Sequence, residues 1–389
     1  MMASQSNGQR QRLLDAAHAA QPTLAGHAEW AETHGRLHED SIQALVDARV
    51  PRMFLPAALG GDEVDPVTCA LVCETLADAD PAAAWHVMVY NAARLMAATW
   101  PQAAVERVWA DQPDAMVAAS GHSTLTGVRT AQGVVVSGKN SFVSGCHHAH
   151  FVMSPLLLDD EPHMVLVPAD AVEIVDNWDT LGMRGTGSND VLIEGVEVPL
   201  ELVVPQRPDL VRARGRNVYA SGTLYQCPSR IVFATYVPVA LSLAGRALTE
   251  LVNLAQNKVP YATDQKLRER SQAQMHYGRA LAKFKSVRLY FHEALDSVWQ
   301  RAQRGHKPTT EERAELYLAG THTLQTCTEV VRHVLDAAGS NVFHKSQPLE
   351  RIMRDMETLK HHGFANESRY ASVAQALWGA TLDYPLLLR

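Results

Sequence analysis

Hydrophobic and polar positions alternate along this chain with two different periods, and the change of period divides it. From Arg10 to about Val50 the apolar positions fall three or four apart, with Leu13, Leu14, Ala17 and Ala20 on one stripe and Ile42, Leu45 and Val46 on another. That spacing predicts two amphipathic helices, the second stopped by Pro51. A Met53-Phe54-Leu55-Pro56 run then enters a Gly60-Gly61 turn, and Val67 to Trp100 predicts two more helices, broken at Asp78, Asp80 and Pro81.

Between Met116 and Pro199 the period shortens. Val134 to Val136 lead into a Ser137-Gly138-Lys139-Asn140 turn, Phe151 to Met153 and Met164 to Val167 are short apolar runs, and Val191, Ile193, Val196 and Val198 stand among polar residues. This is strand-and-turn chemistry, and it predicts a small antiparallel sheet. Arg207 to Cys227 is a polar connector without periodicity, and a loop of that length inside a compact domain is more often functional than idle. The helical period then returns over Arg230 to Ala255, Leu267 to Gln303, Thr310 to Ala338 and Pro348 to about Leu377, which suggests an antiparallel bundle. The expected fold is mostly α within an α+β class. It has an N-terminal helical domain over 1–115, a middle antiparallel β domain over 116–206, a connector over 207–227 and a C-terminal four-helix bundle over 228–389.

Composition removes several functions. A formal net charge of -7 and a pI near 6.2 argue against a nucleic-acid binder, for which a basic face is expected. Residues 1–12 are polar, without the apolar stretch of a signal peptide, and no run of eighteen apolar residues offers a membrane span. A cytoplasmic protein is expected. The five cysteines lack CxxC spacing, so neither a disulfide framework nor a zinc site is suggested; Cys69 and Cys73, one helical turn apart, read as buried thiols.

Five segments in register then point to a family. They are the Gly60-Gly61 turn after an apolar run, ETLADADPAAAW (Glu74 to Trp85), SGKNSFVSG (Ser137 to Gly145), NWDTLGMRGTGSNDVLIEGVEVP (Asn177 to Pro199) and AAGSNVFHKSQPLERIMRD (Ala337 to Asp355). Together they resemble the acyl-CoA dehydrogenase fold over nearly the whole chain. Dehydrogenases of that family remove a proton next to a thioester with a glutamate. One subgroup carries it eight residues beyond the Arg-Asp pair, where Gly363 stands here; another carries it before the arginine that opens the C-terminal bundle, where Ser229 stands. Neither residue can act as that base. His362, seven residues beyond Asp355, instead resembles the histidine of the flavin-dependent monooxygenase branch, the oxygenase components of two-component hydroxylases.

The resemblance implies a reduced flavin (FMNH2 or FADH2) delivered by a separate NAD(P)H-flavin reductase, O2 as co-substrate, a dry cavity, and a homotetramer. It carries Ser144 to a place beside the flavin, with a hydrogen bond near its N5, Phe142 against the ring and Gly145 allowing close backbone approach. His362 becomes a general base that deprotonates a phenol, or a hydrogen-bond donor that holds the distal oxygen. Arg184, Thr186 and Ser188 become flavin contacts, and Gly339 and Ser340 pass the flavin of a neighbouring subunit. Tyr90, Asn91 and His148 become residues of the substrate cavity.

Each position also has a plainer reading. Ser144-Gly145 can simply make a turn, His361 and His362 can cap a helix end, Tyr90 suits a helix core, and Gly339 suits a helix C-cap. His147, His148 and His150 invite a metal, but on one strand they alternate faces, with His148 and His150 on one side and His147 on the other, so no metal is expected. The glycines of GMRGTGS (Gly182 to Ser188) suggest a phosphate loop, yet a strand follows where a phosphate site needs a helix N-terminus. The expected reaction is hydroxylation of an aromatic, polycyclic or amine small molecule. The alternatives are an acyl-CoA dehydrogenase-like flavoprotein that desaturates a thioester, and a flavin-binding protein without catalysis.

Overall fold

The computed structural model describes residues 2–97, 100–206, 218–219 and 221–388. Five helices open the chain: α1 (Met2–His34), α2 (Glu39–Asp47), α3 (Pro66–Ala79), α4 (Pro81–Ala97) and α5 (Gln102–Trp109). Their boundaries follow local chemistry. Asp65 caps α3 by accepting the Thr68 N–H at 2.9 Å, with Pro66 in the first turn, where the missing N–H costs nothing. The buried Asp80 carboxylate accepts the Ala82 N–H at 3.0 Å, so the break between α3 and α4 lies where the Asp-Pro pair predicts. Pro51 sits in a 3-10 turn just past the end of α2.

The sheet comprises β1 (Val117–Ala119), β2 (His122–Ser123), β3 (Leu125–Arg129), β4 (Gly133–Val143), β5 (Phe151–Leu158), β6 (Glu161–Pro168), β7 (Glu173–Val175), β8 (Asn189–Pro199) and β9 (Val203–Pro205). Its order is β7-β8-β4-β3-β5-β6-β9, with β1 on β5 and β2 on β4. It is mixed rather than antiparallel throughout, because β1 and β3 both run parallel to β5. The turn expected at Ser137 to Asn140 is absent. β4 runs straight through it, and a register shift against β8 between Val136 and Gly138, with Gly138 at φ 132°, absorbs the glycine as a bulge. Of the connector, 207–217 and 220 lie outside the described residues; the remainder includes a 3-10 turn, Thr223–Gln226.

The C-terminal helices are α6 (Phe233–Asn257), α7 (Ser271–Gln303), α8 (Thr310–Ala338), α9 (Pro348–Leu359) and α10 (Arg369–Trp378). The single helix expected from Pro348 to Leu377 is therefore two, and His362 lies in the turns between them. α8 matches its expected span because a Thr309/Glu312 capping box starts it and Gly339, at φ 78°, ends it. α6 is long and apolar enough to cross a membrane, but 89% of its apolar window is buried in the protein, so packing accounts for its composition.

The helices flanking the sheet share one hydrophobic core, running from Leu13 on α1 through Leu76, Tyr90, Phe233 and Leu324 to Val373 on α10. The sheet and α5 form a second core around Trp109, Val136 and Val165. α4 contributes to both, with Tyr90 in the first and Ala93 in the second. It is the wall between them.

Candidate active site

The site lies where the end of β4 meets α4 and the turns after α9. Phe142 takes a left-handed backbone (φ 61°) at the strand's end, and its ring stays 57% exposed beside Trp178 and His122. A bulky residue held at positive φ is costly and is usually tied to function. Ser144 follows, buried, with Gly145 at φ 75°. A Cβ on Gly145 would lie 2.8 Å from the Tyr90 hydroxyl and 3.0 Å from His86 Cδ2, so the missing side chain makes room for α4.

Ser144 heads a chain of hydroxyls whose polarity can be worked out. Trp85 Nε1 donates to Ser144 Oγ at 3.0 Å; Ser144 Oγ and Ser188 Oγ are 2.6 Å apart; Ser188 Oγ and Thr186 Oγ1 are 2.7 Å apart; and Thr186 Oγ1 donates to the Met183 carbonyl at 2.8 Å. A carbonyl only accepts and an indole N–H only donates. The Thr186 proton therefore goes to Met183, the Ser188 proton to Thr186 and the Ser144 proton to Ser188. Ser144 has no proton left for a ligand, but it keeps one lone pair and can accept an N–H.

The opposite wall is His362. Its ring packs against Trp85 (5.2 Å between centroids, edge to face), Tyr236 (5.0 Å) and Phe364 (4.9 Å). Burial and the nearby Arg230 guanidinium push the imidazole down to about 4, so it is neutral at pH 7. The Phe364 N–H points at His362 Nδ1 at 3.4 Å, which leaves the proton of the neutral ring on Nε2. The ring thus offers a donor rather than a base. Arg230 lies 4.6 Å above the Phe364 ring, and its Nε finds no acceptor among the described residues; neither does the fully buried Tyr236 hydroxyl. Burying a polar group without a partner is unfavourable, and at a cleft it marks where a ligand's polar atoms fit. A flavin or substrate that offers an N–H to Ser144 and oxygen atoms to His362 and Tyr236 suits this set.

Trp85 links the two walls, with its N–H on Ser144 and its ring on His362. Neither Trp85 nor Tyr236 stands out as a site residue in the sequence. Trp85 closes the ETLADADPAAAW segment, but only the tertiary fold shows that its N–H reaches a residue 59 positions away. His86, also unremarked, is fully buried and neutral, pushed down to about 3 by burial, with its Nδ1 2.9 Å from the Ala82 carbonyl.

Other expected site residues stand in different roles. Arg184 turns from the hydroxyl chain and donates to the Glu32 carbonyl (3.2 Å), Asp179 (2.7 Å) and the Thr180 carbonyl (2.9 Å), tying its loop to the end of α1. Asn91 gives both amide protons to backbone, at Val50 and Val87 (2.9 Å each), and accepts the Phe54 N–H at 2.9 Å. Its place is structural, holding the segment between α2 and α3. Tyr90 is buried and donates to the Gly145 carbonyl at 3.2 Å, supporting the turn behind Ser144.

The three clustered histidines are not on a strand. Cys146–His148 is a 3-10 turn that follows the glycine, so strand alternation does not apply. Their ring nitrogens diverge: His147 accepts from Asn189 (2.9 Å), His148 meets the Leu37 carbonyl (3.1 Å) and His150 accepts the Met116 N–H (3.1 Å).

Gly339 and Ser340 follow α8, where Lys258 donates to the Ala338 carbonyl. Tyr236 and Lys258 lie at opposite ends of α6, about 33 Å apart at 1.5 Å per residue. Within one chain these two residues are remote from Ser144.

The glycines of the GMRG run serve close packing. A Cβ on Gly182 would come within 2.2 Å of the Arg354 backbone, and one on Gly185 within 3.0 Å of Ala31 and Ala82. The Gly182 N–H donates to Thr358 (3.0 Å) and the Met183 N–H to Asp355 (2.6 Å), fastening the loop that ends the hydroxyl chain to α9. Burial raises the Asp355 carboxyl to about 6, against the pull of Arg351.

Known proteins resemble this chain in sequence and fold. The indole-3-acetate monooxygenase of Acinetobacter baumannii is 28% identical over 349 residues, covering 88% of this chain and 87% of its own. The oxygenase component of p-hydroxyphenylacetate 3-hydroxylase from the same species is 23% identical over 354 residues, covering 89% of this chain and 83% of its own. Among solved structures, XiaF from Streptomyces sp. in complex with FADH2 and glycerol superposes with a TM-score of 0.92 at 22% identity, covering 99% of both chains. The model of the acyl-CoA dehydrogenase N-terminal domain matches residues 8–106 and that of the C-terminal domain residues 234–367, together more than half of the sequence. With both ends of the fold matched, and the sheet between them in place, the chain belongs to the acyl-CoA dehydrogenase family.

Proposed function

We infer that this chain is a flavin-dependent monooxygenase, the oxygenase component of a two-component system that takes reduced flavin from a separate reductase and inserts one oxygen atom of O2 into a small organic substrate. The observation that carries this reading is His362, a half-buried neutral imidazole with its proton on Nε2, one residue before the position where a dehydrogenase of the family needs a carboxylate. Gly363 and Ser229 stand at the two positions where dehydrogenases of the family carry that glutamate, and the one charge that acts on the imidazole among the described residues is the Arg230 guanidinium. Proton abstraction from a thioester has no base here. The names of the relatives, hydroxylases and monooxygenases, point the same way.

A bound reduced flavin supplies the electrons that activate O2. The chain's own residues orient and shield. Ser144 accepts an N–H with its remaining lone pair, and its proton stays fixed toward Ser188. His362 donates from Nε2 to an oxygen atom. Trp85, Tyr236 and Phe364 keep water from the space between, which strengthens both hydrogen bonds. We propose an aromatic substrate, since the walls beside His362 are aromatic rings and the two relatives named above are named for indole-3-acetate and p-hydroxyphenylacetate, both aromatic. A homotetramer belongs to the same proposal: if Gly339 and Ser340 touch flavin, their distance from Ser144 requires it to be another subunit's. Sedimentation or light scattering tests that part alone.

The central test is His362→Ala, assayed with reductase, NADH and O2. Hydroxylated product should fall by about 10²–10⁴-fold, the range for losing a positioned proton donor, while reduced flavin still binds and hydrogen peroxide forms in place of product. Unchanged product formation would refute the reading.

A further inference from the structure

Away from the cleft, α7 and α8 pack antiparallel and bring two histidines face to face. His276 Nδ1 and His333 Nδ1 are 3.4 Å apart, with ring centroids 5.6 Å apart and planes inclined at 54°. Asp336, three residues after His333 and so on the same helix face, has a carboxylate oxygen within 4.8 Å of a ring nitrogen of each histidine. We propose that His276, His333 and Asp336 form a surface site for a borderline divalent cation, Zn2+, that clips α7 to α8.

The geometry supports a metal over a shared proton. Two imidazole nitrogens on one tetrahedral zinc, each at 2.0–2.1 Å, stand about 3.3–3.4 Å apart. An N–H···N hydrogen bond prefers a shorter contact, near 3.0 Å. Both histidines are half-buried, so their rings are oriented by packing, whereas Asp336 is exposed and free to swing the last ångström inward. Asp336 has no ion-pair partner among the described residues. The nearby carboxylate Glu329, one turn back on α8, is already paired with Lys283 of α7. Two imidazoles and one carboxylate select zinc-like ions over Mg2+ or Ca2+, which take oxygen donors, and a fourth position stays open to water.

A second cluster, His27, His38 and Asp40, makes an internal contrast. There the rings stack in parallel, 4.0 Å apart with planes at 5°, so their in-plane lone pairs cannot converge on one ion. His38 Nδ1 is moreover engaged by the Asp40 N–H at 3.1 Å as the cap of α2.

The test is calorimetric titration of the full-length protein, stripped of metal with chelator and dialysed, with Zn2+. One ion per chain should bind, and Zn2+ at a hundredfold excess over its dissociation constant should shift the unfolding equilibrium about 100-fold toward the folded state. His276→Ala/His333→Ala should abolish binding, Asp336→Asn should weaken it about tenfold, and His27→Ala/His38→Ala should leave it unchanged. Circular dichroism and melting in chelator check that each variant folds, and His276→Gln gives a milder substitution. Failure of the parent protein to bind Zn2+, or binding that survives His276→Ala/His333→Ala, overturns the proposal.

Discussion

The two walls of the cleft are built on opposite principles. On the sheet side every hydroxyl proton from Ser144 to Thr186 has a fixed destination, and the run ends on a backbone carbonyl. On the bundle side His362, its ring packed among aromatic side chains, holds a proton on Nε2, and the Tyr236 hydroxyl and Arg230 Nε have no partner among the described residues. The contrast teaches a division of labour. The sheet wall has its hydroxyl protons already committed and keeps an acceptor, whereas the bundle wall keeps donors that, under the proposed function, would serve the oxygen and the substrate. Preorganised dipoles of the first kind act without reorganising during reaction.

His362→Ala strikes the reserve wall and should have the largest effect, the loss already described. On the finished wall, Ser144→Ala removes the acceptor and should lower product yield by about 10–100-fold, as expected for one buried hydrogen bond to a charged or polarised partner; the ratio of product to peroxide checks it. Trp85→Phe should come next. It keeps the ring against His362 but removes the N–H, so one Ser144 lone pair loses its donor, and about a tenfold drop in yield is expected for a bond of about 1–1.5 kcal/mol. If Trp85→Phe costs as much as His362→Ala, the walls are not independent and the contrast fails.

The smallest effects are on stability and depend on pH. His362 is held near 4 when folded, against an ordinary 6.5, so between those values the unfolded chain binds more protons, and its contribution is lost as pH falls. Asp355 is held near 6 against an ordinary 3.8, so the folded protein binds more protons in that window, and its contribution grows as pH falls through 6. The two oppose each other. Asp355→Asn should therefore steepen the loss of melting temperature between pH 6 and pH 4, and a parallel pair of melting curves would count against the raised carboxyl.

What could be read in advance follows from where the information lies. Helix ends set by local chemistry were legible: Asp80-Pro81 marks the α3/α4 break, and the apolar period ending at Gly339 marks the span of α8. The family motif singled out His362 because its spacing from Asp355 is a sequence distance. Long-range features were not legible. The parallel pairing of β1 and β3 with β5 leaves no trace in an alternating pattern, and Gly138 reads as a turn until a partner strand shows it to be a bulge. The histidine run after Ser144 follows a glycine at φ 75°, which sends the chain into a 3-10 turn that no strand period describes. Trp85 was hidden for a different reason. An aromatic on an apolar helix usually serves packing, and only its partner 59 residues on distinguishes it.

One contact has a consequence for how molecules come and go. Because Gly182 lies against the backbone at Arg354, and Met183 is bonded to Asp355, the loop behind the hydroxyls is riveted to the helix that leads into the imidazole. The loop and that helix therefore move as one body, and the exposed Phe142 beside the half-buried Trp178 marks the open edge of the site.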